Sequence, residues 1–232
     1  MRRFWDRRAR EDPFYFVDNR LEYGRPEEDR FWASGESDLE TLLGSAGVRL
    51  ARADSVVEIG CGIGRLTRAI AARASDVRAV DVSPEMLALA RRHNAGLVNV
   101  EWLLGDGSSL EGIADSSADA CISHVTLQHI PDPEISLNYI REMGRALRPG
   151  GWAVFQFSND PTVHRRRRAR EGARLALAAA ARRGPRGQRH PAWLGSALDL
   201  RAVERAAAGA GMRLERVAGE GTMFCVALAR RS

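Results

Sequence analysis

Apolar and polar residues alternate in two ways along the middle of this 232-residue chain. Short runs rich in valine, isoleucine and alanine predict buried strands, and segments with apolar residues three or four positions apart predict helices between them. Ser83-Pro84 is a helix-start signal, and Arg148-Pro149-Gly150-Gly151 is a stop signal. The pattern predicts strands at 54–60, 77–82, 98–104, 118–124 and 152–157, helices at 66–74, 84–93, 133–147 and 198–210, and a hairpin of 212–218 with 222–229.

Strands that alternate with helices indicate an α/β fold, in which helices cover both faces of a parallel sheet. Two segments do not show this alternation of strands and helices. Residues 1–47 contain 8 of the 15 aromatic residues and no strand pattern, and they predict short helices, most clearly at 38–46. We therefore expect a leader of residues 1–47 packed on a domain of residues 48–232, with a basic helical insertion at 161–190 after the fifth strand.

The first predicted strand runs directly into a glycine turn, Gly60-Cys61-Gly62-Ile63-Gly64. Glycines let a ligand approach the backbone, and the following helix offers free N–H groups. The next strand ends at Asp81, 21 residues after Gly60, where a carboxylate can accept two hydrogen bonds from a ribose. Arg65 stands where a dinucleotide fingerprint has glycine, and the chain has no lysine for a phosphate-binding P-loop. A turn that binds nothing is the alternative.

Further motifs follow in a fixed order: Ala79-Val80-Asp81, Gly105-Asp106, 118–123 and 145–151. Together with 56–65 they resemble the class I S-adenosylmethionine (SAM)-dependent methyltransferases, in particular the type 11/25 families. The resemblance implies a Rossmann-like, doubly wound, mostly parallel sheet of seven strands in the order 3-2-1-4-5-7-6, with strand 7 antiparallel. It implies SAM as cofactor, S-adenosylhomocysteine as product and no metal. The residues expected around the cofactor are Glu58, Gly60, Cys61, Gly62, Gly64, Asp81, Val82, Met86, Asp106, Gly107, Ser123 and His124.

Methyl transfer requires an aligned nucleophile and, for some acceptors, a base that removes one proton. His124, at the end of the fourth predicted strand, and His129 are the candidate bases, although His129 matches a histidine that is usually structural in these families. Tyr15 and His164 lie in the two irregular segments and are candidate substrate-binding residues. A packing or surface role is the alternative for each, and for Asp106 it is an Asx turn.

Charge is concentrated in the insertion. The chain carries a net charge of +5, whereas 161–190 alone has ten arginines and one acid. This segment predicts a lid for an anionic small molecule, a nucleic-acid footprint or a solvated surface. It lacks the interleaved aromatic residues of many nucleic-acid sites. Every basic residue is arginine, which is typical of a GC-rich genome and weakens the functional interpretation.

The remaining composition limits the function class. Three widely spaced cysteines indicate reduced thiols in a cytoplasmic protein, and neither a membrane-spanning stretch nor a metal-ligand spacing is present. We expect a methyltransferase acting on an O, N or C atom of a small acceptor, with an anionic acceptor and natural product biosynthesis as the finer expectation. An RNA or protein methyltransferase and a non-catalytic SAM-binding protein are the alternatives. The leader and the insertion are expected to cover the substrate side of the site.

Overall fold

A seven-stranded sheet forms the centre of the computed structural model, which describes residues 1–162, 185 and 187–232. The order of the strands is β3-β2-β1-β4-β5-β7-β6, and β7 runs antiparallel to β5 and β6 while the other pairs are parallel. The predicted sheet is therefore confirmed. The strands are β1 (Ser55–Ile59), β2 (Asp76–Asp81), β3 (Val100–Leu104), β4 (Ala118–Ser123), β5 (Leu147–Phe157), β6 (Met212–Ala218) and β7 (Cys225–Arg231).

Helices pack on both faces of this sheet and make two cores. Side chains alternate along β1, so Val57 packs with Ile140 on one face while Val56 packs with Leu39 and Ile70 on the other. The described helices are α1 (Arg2–Glu11), α2 (Pro13–Val17), α3 (Glu28–Ala46), α4 (Arg65–Ala71), α5 (Pro84–His93), α6 (Pro133–Ala146), α7 (Pro191–Leu194) and α8 (Leu200–Gly209), with a 3₁₀ turn at Leu127–His129.

The fifth strand begins five residues earlier than the sequence predicts. Arg148-Pro149-Gly150-Gly151 ends α6 as expected, but β5 already includes these residues. Ala118 pairs with Leu147, whereas Ala120 pairs with Trp152, so the turn-forming residues are accommodated as a bulge within the strand. The last strand also shifts, because Thr222 closes the hairpin turn and β7 starts only at Cys225.

The leader is more helical than predicted. Its longest helix, α3, spans 19 residues, whereas the sequence predicts only its second half. Gly35 weakens the helix pattern, yet a Cβ at this position would lie 2.3 Å from the carbonyl oxygen of Arg65. Because Gly35 has no side chain, α3 can cross closely over α4. The residue that weakens the helix pattern in the sequence is therefore the one that allows the helix to pack here.

Most of the basic insertion falls on residues 163–184 and 186, outside the described residues, and so does its predicted cationic helix. Within the described part of the chain, no helix has the length and apolar character needed to cross a bilayer.

Candidate cofactor and acceptor cleft

A cleft of about 960 Å³, counted with its space open to solvent, lies over the carboxyl ends of β1, β2 and β4. Ligands bind at this edge of open parallel sheets. We call its strand-end side the sheet wall: Glu58, Ile59, Gly60, Cys61, Gly62, Arg65, Leu66, Val80, Asp81, Val82, Met86, His124, Val125, Thr126, His129, Ile130 and Tyr139. The leader wall opposite comprises Met1, Trp5, Phe16 and Val17.

The glycine turn places backbone, without side chains, at the floor of the cleft. Gly60 and Gly62 have φ angles of 79° and 56°, in the left-handed region that favours glycine. A Cβ on Gly60 would lie 2.1 Å from Oγ1 of Thr126, and one on Gly62 would lie 3.1 Å from Val17. The turn therefore requires glycine at Gly60 on both conformational and steric grounds.

Asp81 ends β2 beside this turn. Its Oδ2 accepts a hydrogen bond from the N–H of Gly62 at 2.9 Å, and its Oδ1 accepts one from the N–H of Ser83 at 2.8 Å. Burial raises the pKa of Asp81 to about 6 despite these bonds. Each carboxylate oxygen can accept a second hydrogen bond, so the group has capacity for two hydroxyls of a ligand.

Glu58 adds a second buried carboxyl group to the sheet wall. Its Oε2 accepts a hydrogen bond from the hydroxyl of Thr67 at 2.6 Å. Burial, assisted by the nearby charge of Asp81, raises the pKa of Glu58 to about 7, although the hydrogen bond from Thr67 and the charge of Arg65 lower it. A cation in the cleft would favour the ionised form of both groups.

Three further residues of the predicted set occupy structural positions. Cys61 lines the cleft, and burial raises the pKa of its thiol well above the usual value, which keeps it neutral. Gly64 lies outside the lining and precedes α4, where a Cβ would contact Asn94 and Trp102. Ser123 is buried and donates to the carbonyl oxygen of Ile59 at 3.2 Å.

Asp106 and Gly107 lie outside the cleft lining. The Oδ1 of Asp106 accepts hydrogen bonds from the N–H groups of Ser108 and Ser109, each at 2.8 Å. This is the Asx-type turn that the sequence leaves open as the alternative. Gly107 has a φ of 91°, and a Cβ there would lie 2.9 Å from Val82.

Val82 and Met86 both line the cleft, as the resemblance implies. The leader reaches this end as well, because Arg2 of α1 donates to the carbonyl oxygens of Val82 and Gly105, both at 3.1 Å. Helix α1 thus lies across the ends of β2 and β3.

Both candidate bases line the cleft, in different surroundings. β4 ends one residue earlier than predicted, so His124 directly follows the strand; its Nε2 lies 3.8 Å from Oδ2 of Asp38. The Nδ1 of His124 is buried and has no hydrogen-bond partner in the described part of the chain. The Nδ1 of His129 pairs with the carbonyl oxygen of Trp193 at 3.0 Å, and its ring meets Trp5 edge to face. His129 therefore connects the segment after β4 with Trp193 and with Trp5 of α1.

The leader wall is apolar, and the leader packs against residues at the end of the insertion and just after it. Phe16 meets Trp193 edge to face with ring centroids 5.6 Å apart, and Phe4 stacks on His190 at 4.5 Å. Of the two predicted substrate residues, Tyr15 lies off the cleft against Phe16, and His164 is outside the described residues.

A group of charged residues that the sequence does not single out ties the leader to the sheet wall. We call Asp18, Arg20, Asp38 and Arg65 the leader charge cluster. Arg65 donates to Asp38 at 2.6 Å, and Arg20 donates to both aspartates at 2.7 Å. The presence of Arg65 in the glycine turn motif is the one sequence signal of this cluster, because its partners are distant along the chain.

Comparison with known proteins agrees with this geometry. Residues 56–151 match a family model described as a methyltransferase domain. This segment is therefore similar to methyltransferase domains, in agreement with the class I SAM-dependent methyltransferases that the sequence motifs resemble. A ubiquinone biosynthesis O-methyltransferase of Xanthomonas campestris pv. campestris is 35% identical over 97 residues, which cover 41% of this chain and 39% of that relative. The chain thus matches about two fifths of the length of this relative.

Solved structures share the fold over nearly the whole chain. A chain from a complex between the Haloferax volcanii Trm112 methyltransferase activator and a methyltransferase has a TM-score of 0.66 at 19% identity, covering 98% of this chain and 96% of that one. The N-methyltransferase NodS from Bradyrhizobium japonicum, solved with S-adenosylhomocysteine, has a TM-score of 0.63 at 16% identity, covering 99% and 97%. At these identities the likeness concerns the fold.

Proposed function

We propose that this chain is a SAM-dependent methyltransferase that binds SAM in the cleft and methylates an O, N or C atom of a small molecule. The observation that carries this proposal is the contact between the glycine turn and Asp81. The turn offers bare backbone to a ligand, and the carboxylate beside it keeps two acceptor positions. This arrangement suits an adenosine ligand with two ribose hydroxyls.

The charge of the sheet wall fits SAM in particular. SAM supplies a methyl group already activated by a positively charged sulfur, so no metal is needed. Glu58 and Asp81 are both buried carboxyls with raised pKa values, and each gains from a nearby cation. The protein must then align the acceptor and exclude water, which is the role we assign to the leader wall.

The leader wall favours an acceptor with an apolar or aromatic body. Trp5, Phe16 and Val17 supply this surface, and Arg65 is held by its own carboxylate partners. The named O-methyltransferase and N-methyltransferase relatives support small-molecule methylation in general. An anionic acceptor would draw on the arginines of 165–183, outside the described residues. That acceptor, natural product biosynthesis and a cytoplasmic location stay predictions from the sequence.

We further propose that α1, α2 and residues 187–194 act together as a cover over the acceptor. Phe4, Phe16, Trp193 and their neighbours form one apolar cluster that spans these segments. Hydrogen exchange with and without S-adenosylhomocysteine tests this idea. Added protection in α1, α2 and 187–194 is expected, whereas protection confined to the glycine turn and Asp81 would contradict a cover.

Calorimetry with SAM, S-adenosylhomocysteine and NAD tests the proposed function. We expect binding of the first two and none of NAD, and a preference for NAD would overturn the assignment. Turnover is then sought with methyl-labelled SAM and a panel of phenols, amines and carboxylic acids. SAM binding without turnover across the panel would favour a non-catalytic protein, and salt-sensitive RNA binding would favour an RNA methyltransferase.

A further inference from the structure

The ring of His124 faces a carboxylate that belongs to the leader. Its Nε2 lies 3.8 Å from Oδ2 of Asp38, in the middle of α3, and both side chains are more than four-fifths buried. The other ring nitrogen, Nδ1, is buried with no partner among the described residues. A histidine can work as a base when a carboxylate lies beside one ring nitrogen and the other nitrogen has no partner in the protein.

Asp38 is held firmly as an anion. Arg65 donates to it at 2.6 Å, and Arg20 donates to its two oxygens at 3.0 and 2.7 Å. Burial alone would raise the pKa of Asp38, but the nearby ring of His124, hydrogen bonds from Arg20 and Arg65 and the charge of Arg65 outweigh it and hold the pKa well below its usual value. The carboxylate that faces His124 therefore stays ionised.

The backbone beside His124 is constrained as well. Val125 has a φ of 52°, a left-handed conformation that is strained for a β-branched residue. Its N–H donates to Oε1 of the buried Gln156 at 2.9 Å, which holds the turn in place. Strain of this kind persists where the surrounding structure enforces it, and it is common at functional sites.

We propose that Asp38 is a positioning residue, which keeps the proton of neutral His124 on Nε2 and leaves Nδ1 as the base of the site. The proton of the acceptor's O–H or N–H bond would move to Nδ1, and the electron pair of that bond would stay on the acceptor atom to bond the methyl carbon. The carbon–sulfur bond of SAM would break at the same time, with its electron pair going to sulfur, so that S-adenosylhomocysteine leaves as a neutral thioether. The resulting imidazolium faces the Asp38 carboxylate and returns its proton to water after product release. The role as base rests on the proposed methyl transfer, but the position of the proton does not.

This arrangement makes the leader part of the catalytic site. His124 comes from the sheet and Asp38 from α3, and 86 positions separate them along the chain. The pair exists only while α3 is docked on α4 through Gly35 and the leader charge cluster.

Nitrogen-15 NMR of histidine-labelled protein tests the proposal without an acceptor. The signals of His124 are assigned by their loss in His124→Gln. In the wild type at a pH where the ring is neutral, we expect protonated Nε2 and unprotonated Nδ1. In Asp38→Asn the Nδ1–H tautomer should gain population. A proton on Nδ1 in the wild type, or an unchanged tautomer in a folded Asp38→Asn variant, would overturn the proposal.

Two control variants separate this effect from damage to the leader. Arg20→Gln removes one anchor of Asp38 but keeps its carboxylate, and Glu36→Gln changes a carboxylate of the same helix that pairs with Arg73 instead. Both should keep the wild-type tautomer. If either shifts it as far as Asp38→Asn does, the effect comes from leader docking and the proposal fails.

Calorimetry on the same variants distinguishes this inference from the proposed function. Asp38→Asn should bind S-adenosylhomocysteine within about threefold of the wild type and, with an acceptor in hand, lose turnover within the roughly 10²–10⁴-fold range of general-base catalysis. Absence of SAM binding in the wild type would refute the methyltransferase assignment, while the tautomer measurement would still decide the role of Asp38. Unchanged turnover in a variant with a shifted tautomer would show that His124 is not the base.

Discussion

The two walls of the cleft are built by different means. The sheet wall consists of strand ends and tight turns, and residues close in sequence, such as Glu58, Gly60 and Gly62, supply much of it. The leader wall depends on contacts between distant segments, such as Phe16 with Trp193. A second long-range pair, Asp38 with His124, links the leader to the sheet wall. We propose that the first wall binds the cofactor. The second wall lies outside residues 56–151, which match the family model, so we expect it to select the acceptor.

The largest expected effect is on the sheet wall, at the glycine turn. Gly60→Ala would place a Cβ 2.1 Å from Oγ1 of Thr126 in a residue with φ of 79°. The turn must move, and we expect the affinity for S-adenosylhomocysteine to fall more than about 100-fold, which corresponds to roughly 3 kcal/mol. Calorimetry measures the loss, and circular dichroism checks that the variant is folded.

Gly150→Ala is the matched control for this change. Gly150 has a φ of 81°, so alanine there meets the same conformational strain, but no atom lies within 4 Å of its Cβ position. It should keep wild-type affinity. Equal losses in the two variants would mean that strain in the chain, and not the shape of the turn, controls binding.

A second effect separates the leader wall from the sheet wall. Phe16 is buried against Trp193 and under the guanidinium of Arg8. Replacing a buried phenylalanine by alanine costs about 3–5 kcal/mol in protein cores, so Phe16→Ala should release α1 and α2 to rapid hydrogen exchange. The affinity for S-adenosylhomocysteine should change by less than about threefold.

Tyr15→Ala is the control, because Tyr15 adjoins Phe16 but lies off the cleft. Its effect on exchange in α1 should be much smaller. If Phe16→Ala lowers cofactor affinity as strongly as Gly60→Ala does, the two walls do not act separately.

The same contrast explains what the sequence could predict. The apolar strand pattern around Val56 and Val57 and the glycine spacing are local signals. They identify the family resemblance, and the resemblance in turn implies the order of the strands. The start of β5 was predicted wrongly, because a proline and two glycines resemble a turn although they form a bulge. Whether these residues form a turn or a bulge depends on how β5 pairs with β4 in the folded sheet.

The leader shows why the rest could not be predicted. Gly35 disfavours a helix locally, and only its close contact with Arg65 explains its presence within α3. Asp38 resembles any polar residue of an exposed helix face in the sequence. Its role depends on His124 and Arg65, which are distant from it in sequence but lie beside it in the folded chain.

A third prediction compares the two carboxylates that the resemblance assigns to the cofactor. Asp81 lies in the cleft lining, whereas Asp106 is outside it and bonded within its own turn. Loss of hydrogen bonds to a charged group costs about 1.5–3 kcal/mol, so Asp81→Ala should weaken SAM binding roughly 10- to 150-fold by calorimetry. Asp106→Ala should leave the affinity nearly unchanged, and a larger loss there would move the adenosine site toward Asp106.

The smallest expected effect concerns the charge of the sheet wall. Burial raises the pKa of Glu58 to about 7 and that of Asp81 to about 6, so both carboxyl groups take up protons as the pH falls through these values. The positive charge of bound SAM would favour the ionised carboxylates, and binding would then release protons. Because protons compete with the cation, SAM affinity should rise as the pH rises through these values.

Calorimetry between about pH 6 and 7.5 measures this rise, which should approach tenfold if Glu58 loses its proton on binding. S-Adenosylhomocysteine lacks the sulfonium charge, so its affinity should rise less. Glu58→Gln keeps the size of the side chain and a hydrogen-bond acceptor for Thr67, but it cannot titrate, so it should flatten the curve for SAM toward that of the product. An equal rise for both ligands would show that the sheet wall does not respond to the sulfonium charge, and the leader wall would then have to account for any preference of the site for SAM.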